Sequence, residues 1–419
     1  MKRIAVAAVA LLALSFSLSA QDGPKFKLYG FLRNYFTYDS RVSNAGTEDF
    51  YYWMPKDIKM VGEEDVNALS TFRFAALTSR LGVDISGYDV KDYKIGGKFE
   101  ADFYAGLTGN TGTAQLRLRQ AFISLAKDNR SWKIGQAWHP MAADLPDIFS
   151  LESGAPFAPF SRTPLVQLDW KFNDALSLTT AALWQMQFCS TGPEGVSANY
   201  IKYGCTPEFY LGLNIKSGKS VFKFGGDVLS IKPRQVNATG PAIMDRLTTW
   251  NVFMYGASSL GDLNLKTKLT YANDGSHFNM LGGYGVYAID ETYDDWKYTP
   301  TRTAAGWATL QYKGLGNWVP QMLIGYTKLF GTDRDVFMDK NDSGAYMYRW
   351  VKNSADVIDY MFRIQPEILY NLGKLQFGLE YMLTGVNYGK TGARMVAVND
   401  ANLHLVMNHR VQVMVKLNL

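Results

Sequence analysis

The chain has 419 residues, and its 43 Lys and Arg against 38 Asp and Glu leave a formal net charge of only +5. This weak basic balance is not that of a nucleic-acid-binding protein, so no nucleic-acid partner is expected. Beyond the first twenty residues no run of about 18 apolar residues occurs, which excludes a helical membrane span. The chain is nevertheless rich in Tyr (25), Phe (24), Trp (10) and Gly (38), as outer-membrane barrels and secreted β-proteins both are.

Residues 1–20 have the pattern of a secretory signal peptide. Lys2 and Arg3 form a basic start, an apolar run follows, and the small residue Ala20 precedes the expected cleavage site. The apolar run is too short to span a membrane comfortably as a retained helix. We therefore expect an exported protein whose mature part, residues 21–419, forms a single domain.

Apolar and polar side chains alternate with a period of two along most of the mature chain, as in strands with two different faces. In segment 93–105, for example, Phe99 and Phe103 share a face opposite Lys98 and Glu100. The last eleven residues, HRVQVMVKLNL, alternate in the same way and close the sequence. A strand in hydrocarbon must have both edges paired, so this ending favours a closed barrel with lipid outside and water inside.

Short turns alternate with long connections throughout the chain, and this rhythm predicts about sixteen strands. Outer-membrane barrels have short periplasmic turns, long extracellular loops and an even strand number. A sandwich or propeller fold gives no reason for short and long connections to alternate along the chain. The predicted fold is therefore all-β: a transmembrane antiparallel β-barrel in the bacterial outer membrane, with lipid around it. The long connections are expected at about 39–71, 106–114, 139–163, 189–207, 232–245, 273–300, 331–355 and 388–401.

Strand parity places many charged side chains in the interior. A barrel of about sixteen strands is too wide for side chains to fill, so these charges should line a water-filled channel and set its selectivity. Alternation changes phase after Arg119, so that Ile123 would face water together with Arg119. The basic residues outnumber the acidic ones, which modestly favours anionic solutes. The candidate pore-lining residues are Arg33, Arg80, Lys98, Glu100, Asp102, Arg117 and Arg119.

The third long connection, 139–163 (HPMAADLPDIFSLESGAPFAPFSRT), is rich in Pro, Phe and Ala. A loop with apolar patches is not expected to stand freely in water. We expect it to fold inward and constrict the channel, with Asp144, Asp147 and Glu152 facing basic wall residues. The alternative is that it packs at a subunit contact or under another loop.

Cys189 and Cys205 lie close together in a polar segment of an exported protein, which predicts a disulfide; two free thiols are the alternative. Closing a loop of this size would stabilise the fold by about 3 kcal/mol. No zinc spacing, phosphate loop or dinucleotide fingerprint occurs, so no cofactor and no metal site are expected. Residues 339–344 match only the first half of a calcium loop.

The N-terminal part of the chain resembles a known family. The segments GFLRNYFTYDSR, TSRLGVDI, KIGGKFEADFYAG, LRLRQAFISL and WKIGQAWHPM, then LPDIF and the Arg-Thr-Pro at 162–164, follow the order seen in DcaP-like porins over roughly 25–170. The resemblance implies a homotrimer of sixteen-stranded barrels that selects anionic organic acids through basic residues at its constriction. Carried over to this sequence, those residues are Arg33, Arg80, Lys98, Arg117, Arg119 and Arg162.

The function predicted from these patterns is passive diffusion of small hydrophilic solutes, anionic or neutral, across the outer membrane. A barrel transporter of the fatty-acid type is one alternative, but it would need an apolar interior. A barrel hydrolase is another, for which His277 beside Asp274 and Ser276 offers the best cluster. Because neighbouring residues on a strand would face apart, no enzymatic activity is predicted.

Overall fold

A computed structural model describes residues 23–106, 113–242, 245–338, 345–351 and 357–419. The predicted signal peptide at 1–20 and the partial calcium motif at 339–344 lie outside these ranges. No helix within the described ranges is long and apolar enough to cross a membrane.

Sixteen antiparallel strands form one closed barrel, which confirms the predicted fold class. The second strand is broken into two segments, both paired with the first. The strands are β1 Lys25–Asp39, β2 Thr71–Ala75 and Arg80–Val90, β3 Tyr93–Ala105, β4 Gln115–Lys127, β5 Arg130–Trp138, β6 Arg162–Lys171, β7 Leu176–Leu183, β8 Glu208–Ser217, β9 Ser220–Ile231, β10 Leu247–Leu260, β11 Leu263–Asn273, β12 Trp296–Tyr312, β13 Trp318–Thr332, β14 Val357–Leu372, β15 Leu375–Gly389 and β16 His404–Asn418.

The long connections carry small elements of their own. In the described ranges these include 3₁₀ turns at Pro140–Ala142, Gly275–Phe278 and Asp400–Asn402, and a short helix, α1, at Asn199–Gly204. The remaining elements are short strands at Ser43–Gly46, Tyr51–Pro55, Met60–Val61, Glu64–Asp65, Thr191–Gly192, Gly195–Val196, Val236–Asn237, Gly240–Pro241, Gly283–Ile289 and Tyr348–Trp350.

The barrel closes between the first and last strands. β1 pairs antiparallel with β16, from Phe31 opposite Asn418 to Asp39 opposite Arg410. On its other edge β1 pairs with both segments of β2. Neither terminal strand therefore has a free edge, as hydrocarbon requires.

Side chains of β16 show how the two faces differ. Val411 and Val413 are 39% and 38% exposed on the outer face, whereas Arg410 and Gln412 are 1% and 0% exposed on the inner face. The outer face carries apolar side chains where lipid is expected, and the inner face carries polar ones that bond to each other and to the loops.

A β-bulge in β4 explains the change of phase in its sequence. Gln120 lies opposite Glu100, but Ala101 lies opposite Leu118, so Arg119 is an extra residue in this strand. Arg119 and Gln120 both hydrogen-bond Glu100 inside the barrel. After the bulge the alternation resumes with Ile123 exposed on the outer face. Ile123 does not face the channel, because the bulge shifts the pleat by one residue.

The two cysteines are separate thiols, contrary to the predicted disulfide. Cys189 is buried in the connection after β7, whereas Cys205 is exposed. Cys205 ends α1 in the left-handed conformation (φ 50°). The helix lies between the two cysteines in the chain and leaves them in different environments, which proximity in sequence does not reveal.

We expect a designed disulfide to report the closing register. In a background with Cys189 and Cys205 changed to Ser, Asn34→Cys with Val415→Cys should cross-link, because these residues lie directly opposite at about 4.5–5.5 Å between Cα atoms. Denaturing gels without reductant would show the resulting mobility shift. The control, Asn34→Cys with Val413→Cys, is diagonal and should not bridge. Cross-linking in the control alone would contradict this register.

Candidate pore constriction

The connection between β5 and β6 lies inside the barrel, against inward-facing residues of the wall. The rings of Phe149 and Phe157 fill two places where the wall carries glycine. A Cβ on Gly378 would come within 2.8 Å of the Phe149 ring, and one on Gly325 within 2.6 Å of the Phe157 ring. No larger residue fits at either position without displacing a ring, so the wall and the loop are shaped to each other.

Two carboxylates of this loop pair with lysines of the wall. Asp144 contacts Nζ of Lys223 and Asp147 contacts Nζ of Lys266, each at 2.5 Å. Lys268 donates from the same stretch of β11 to the Met141 carbonyl. The loop acids therefore face basic residues, on β9 and β11.

Arg363 of β14 anchors the other end of the loop. It is completely buried and donates to the carbonyl oxygens of Ala155 at 3.1 Å and Trp53 at 2.9 Å. Its Nη1 also lies 3.5 Å from Oε1 of Glu152. Burial raises the pKa of Glu152 above its ordinary value, against the opposing effect of Arg363. One guanidinium thus joins the wall, the inward loop and the first extracellular connection.

On β2, β3 and β4, three arginines converge on two carboxylates. Arg119 contacts Glu100 at 2.7 Å and Asp102 at 2.8 Å. Arg117 makes a bidentate contact with Asp102 at 3.0 and 3.1 Å. Arg80 lies further off, 3.7 Å from Glu100 and 3.8 Å from Asp102. The fixed fork of each guanidinium suits such shared contacts.

Two further cations stand beside this cluster at the closing seam. Arg33 of β1 lies directly opposite Lys416 of β16. Arg33 donates through Nε to the Thr78 hydroxyl at 3.0 Å, and Lys416 lies 5.6 Å from the centroid of the Phe31 ring. Among the residues that the structure describes, neither cation forms an ion pair with a carboxylate.

Both groups border one cavity of about 400 Å³ between the wall and the inward loop. It is lined by five basic residues of the wall and by two of its carboxylates. Asp147 also borders it, but that carboxylate is paired with Lys266. The cavity therefore has a surplus of positive charge. The charged wall residues are Arg33, Arg80, Glu100, Asp102, Arg117, Arg119 and Lys416.

The remaining predicted residues, Arg162, Lys98 and Asp144, do not line this cavity. Arg162 is 1% exposed and lies 4.7 Å from the Trp138 ring centroid. Neither of its Nη atoms has a hydrogen-bond partner in the described part of the chain. Lys98 pairs with Asp84 at 2.6 Å and donates to the Tyr29 hydroxyl at 3.0 Å. Asp144, bound to Lys223, does not border this cavity.

Some residues of the site carry no local signal in the sequence that would identify them. Tyr29 links Lys98 to Glu100, and Gln120 reaches the cavity only because of the bulge. In the sequence, Arg363 cannot be distinguished from other inward-facing charged residues, because its role depends on its contact with the inward loop. Parity along β16 does identify Lys416.

The cluster around His277 does not form a hydrolytic site. The Ser276 hydroxyl donates to Asp274 at 2.5 Å. Neither ring nitrogen of His277 has a hydrogen-bond partner among the described residues. Without contact between the serine and the imidazole, no activated nucleophile is present.

Comparison with known proteins agrees with this architecture. Residues 15–151 match the model of the family described as DcaP outer membrane protein. No curated protein matches the chain. The outer membrane channel DcaP of Acinetobacter baumannii is similar in structure at 19% identity, with a TM-score of 0.69 over 96% of this chain and 99% of that chain.

Two further solved structures share the fold at lower similarity. The anion-selective porin from Comamonas acidovorans is 11% identical, with a TM-score of 0.55 over 95% of this chain and 100% of that chain. OmpT of Vibrio cholerae in its trimer form is 11% identical, with a TM-score of 0.53 over 95% and 100%. These likenesses concern the fold. Over residues 15–151 the chain resembles the DcaP outer membrane protein family, and over nearly its whole length it shares the porin fold.

Proposed function

We propose that this porin passes small hydrophilic solutes by passive diffusion, with a modest preference for anionic organic acids. The observation that carries the proposal is the positive surplus of the cavity between the inward loop and the wall. Glu100 and Asp102 are shared among three arginines, while Arg33 and Lys416 have no ion pair in the described ranges. A passing carboxylate would meet cations whose charge nearby acids do not neutralise.

The arrangement favours transit over tight binding. The guanidinium group of an arginine can donate two parallel hydrogen bonds to a carboxylate. Several cations in a row let a solute move from one to the next. Conduction requires sites attractive enough to enter and weak enough to leave. Arg162 extends this series beyond the first cavity, since it borders a second cavity of about 480 Å³ together with Arg117.

A channel for fatty acids fits this interior poorly. Such a channel needs an apolar path, whereas charged and amide side chains line the first cavity. The large apolar side chains of the strands point mostly outward. We further propose that the protein is a homotrimer, since a related fold is known in a trimer form.

We expect Arg33→Ala to weaken anion selectivity. A unit charge about 4 Å from a solute ion contributes about 1 kcal/mol in water-like surroundings, or about fivefold in relative permeability at low salt. The measurement is the reversal potential in planar bilayers under a KCl gradient. Lys219→Ala, which removes a charge from an exposed turn, is the control and should leave the potential unchanged.

The same measurement can contradict the proposal. Equal permeability to both ions in the parent would overturn anion selectivity while leaving the porin intact. An effect of Lys219→Ala as large as that of Arg33→Ala would show that net charge acts, and not the cavity. At about 1 M salt the difference should shrink, because the Debye length falls to about 3 Å.

We expect Arg363→Ala to release the inward loop and raise single-channel conductance. The substitution removes the bonds to Ala155 and Trp53 and leaves Glu152 buried without its cation. Breaking a buried pair costs about 3–5 kcal/mol, so the melting temperature should fall. Arg363→Ala with Glu152→Ala should melt higher than Arg363→Ala alone, because no charge is stranded. Unchanged conductance in a variant with a lowered melting temperature would contradict anchoring by Arg363.

A further inference from the structure

A cluster of buried side chains of the types that bind metals lies outside the cavity lined by the arginines. It consists of His139 at the start of the inward loop, Glu208 at the start of β8 and Asp227 in β9. They are 2%, 1% and 3% exposed. One ligand atom from each lies within 4.8 Å of the other two. The three residues come from distant parts of the sequence, so no spacing motif reveals them.

A fourth potential ligand, His277, lies beside this cluster but outside the set of mutually close ligand atoms. His277, in the turn Gly275–Phe278, is 2% exposed, and neither of its ring nitrogens has a hydrogen-bond partner in the described ranges. The Phe278 ring contacts both imidazoles, with centroids 4.0 Å from His277 and 4.8 Å from His139. Oδ2 of Asp227 is likewise buried without a partner. Buried polar atoms are normally satisfied, so these unpartnered atoms require an explanation.

The charge balance of the cluster is equally unusual. Within the described ranges no Lys or Arg forms an ion pair with Glu208 or Asp227; the only ion-pair contact of Glu208 is with His139, at 2.6 Å. Burying two carboxylates without a lysine or arginine partner is costly. A bound cation would offset this cost and would supply the partner that the unpartnered atoms lack.

We propose that His139, Glu208 and Asp227 bind a divalent transition-metal ion of the Zn²⁺ class, and that the neighbouring His277 completes the ligand set when the ion binds. Imidazole nitrogen and carboxylate oxygen are ordinary zinc ligands, and the number of donors suits tetrahedral coordination. The two histidines favour such an ion over calcium or magnesium, which take oxygen ligands. The inference is independent of the anion selectivity proposed above.

Metal binding would also affect the inward loop. The Met141 amide donates to Nδ1 of His139 at 3.1 Å, so in the metal-free protein the imidazole proton sits on Nε2 and points to Glu208. Ligation through Nε2 moves that proton to Nδ1 and displaces the Met141 hydrogen bond. The ion would thus act on the first turn of the loop, Pro140–Ala142.

The test is zinc binding to the folded full-length protein in detergent, with Cys189 and Cys205 changed to Ser so that thiols do not bind the metal. After EDTA treatment and dialysis, Zn²⁺ is titrated by calorimetry and counted by elemental analysis. We expect one ion per chain and a rise in melting temperature. Co²⁺ in its place should give visible absorption bands of a low-coordinate nitrogen and oxygen site.

Asp227→Asn, Glu208→Gln and His277→Ala should each lower zinc affinity at least tenfold. His409→Ala, on the exposed outer face, and Asp245→Asn, a buried carboxylate in another loop, are the matched controls and should bind as the parent does. Heat-modified gel mobility confirms that each variant is folded. For a variant that fails to fold, the zinc-dependent rise in the parent's melting temperature remains as the test.

Zinc binding in the parent no stronger than in Asp227→Asn, or no rise in melting temperature with zinc, would overturn the site. Binding of Ca²⁺ in preference to Zn²⁺ would overturn the transition-metal assignment. Unchanged affinity in His277→Ala would remove that residue from the ligand set.

Discussion

The fold depends on one constraint: in hydrocarbon every backbone N–H and C=O must find a partner within the protein. The pairing of β1 with β16 satisfies it, since this contact removes the last open edge. Closure then imposes a strict division of side chains, because successive residues face lipid and water in turn. The apolar outer face and the polar interior both follow from that division.

A closed barrel of sixteen strands has an interior too wide for its own side chains, so its selectivity requires an inserted element. The connection between β5 and β6 provides it here. Both packing and ion pairs hold this connection in place. Rings of Phe149 and Phe157 lie against wall glycines, and Lys223, Lys266 and Arg363 hold its polar groups. A cavity remains between this connection and the arginines of the wall, where positive charge exceeds negative.

Sequence reasoning reached the features that have a local period. Strand number, the alternation of short turns with long connections, and the inward parity of Arg33, Arg80 and Glu100 all follow from a two-residue repeat. Features that depend on distant contacts were not accessible in this way. The bulge at Arg119 left only an unexplained change of phase, and the cysteine spacing predicted a bond that the structure does not contain. The anchoring role of Arg363 and the His139 cluster require tertiary proximity.

The bulge in β4 has a consequence for how such a channel can change. An ordinary strand can add an inward residue only together with an outward one, so an insertion that adds a residue to the pore also adds one to the lipid face. The extra residue at Arg119–Gln120 escapes this rule, because both side chains face inward and the outer pattern resumes beyond them. Inserting or deleting one residue there would alter the charge of the pore and leave the outer face unchanged. Bulges therefore offer a route by which porins of one fold can diverge in solute preference while their membrane-facing surface stays the same.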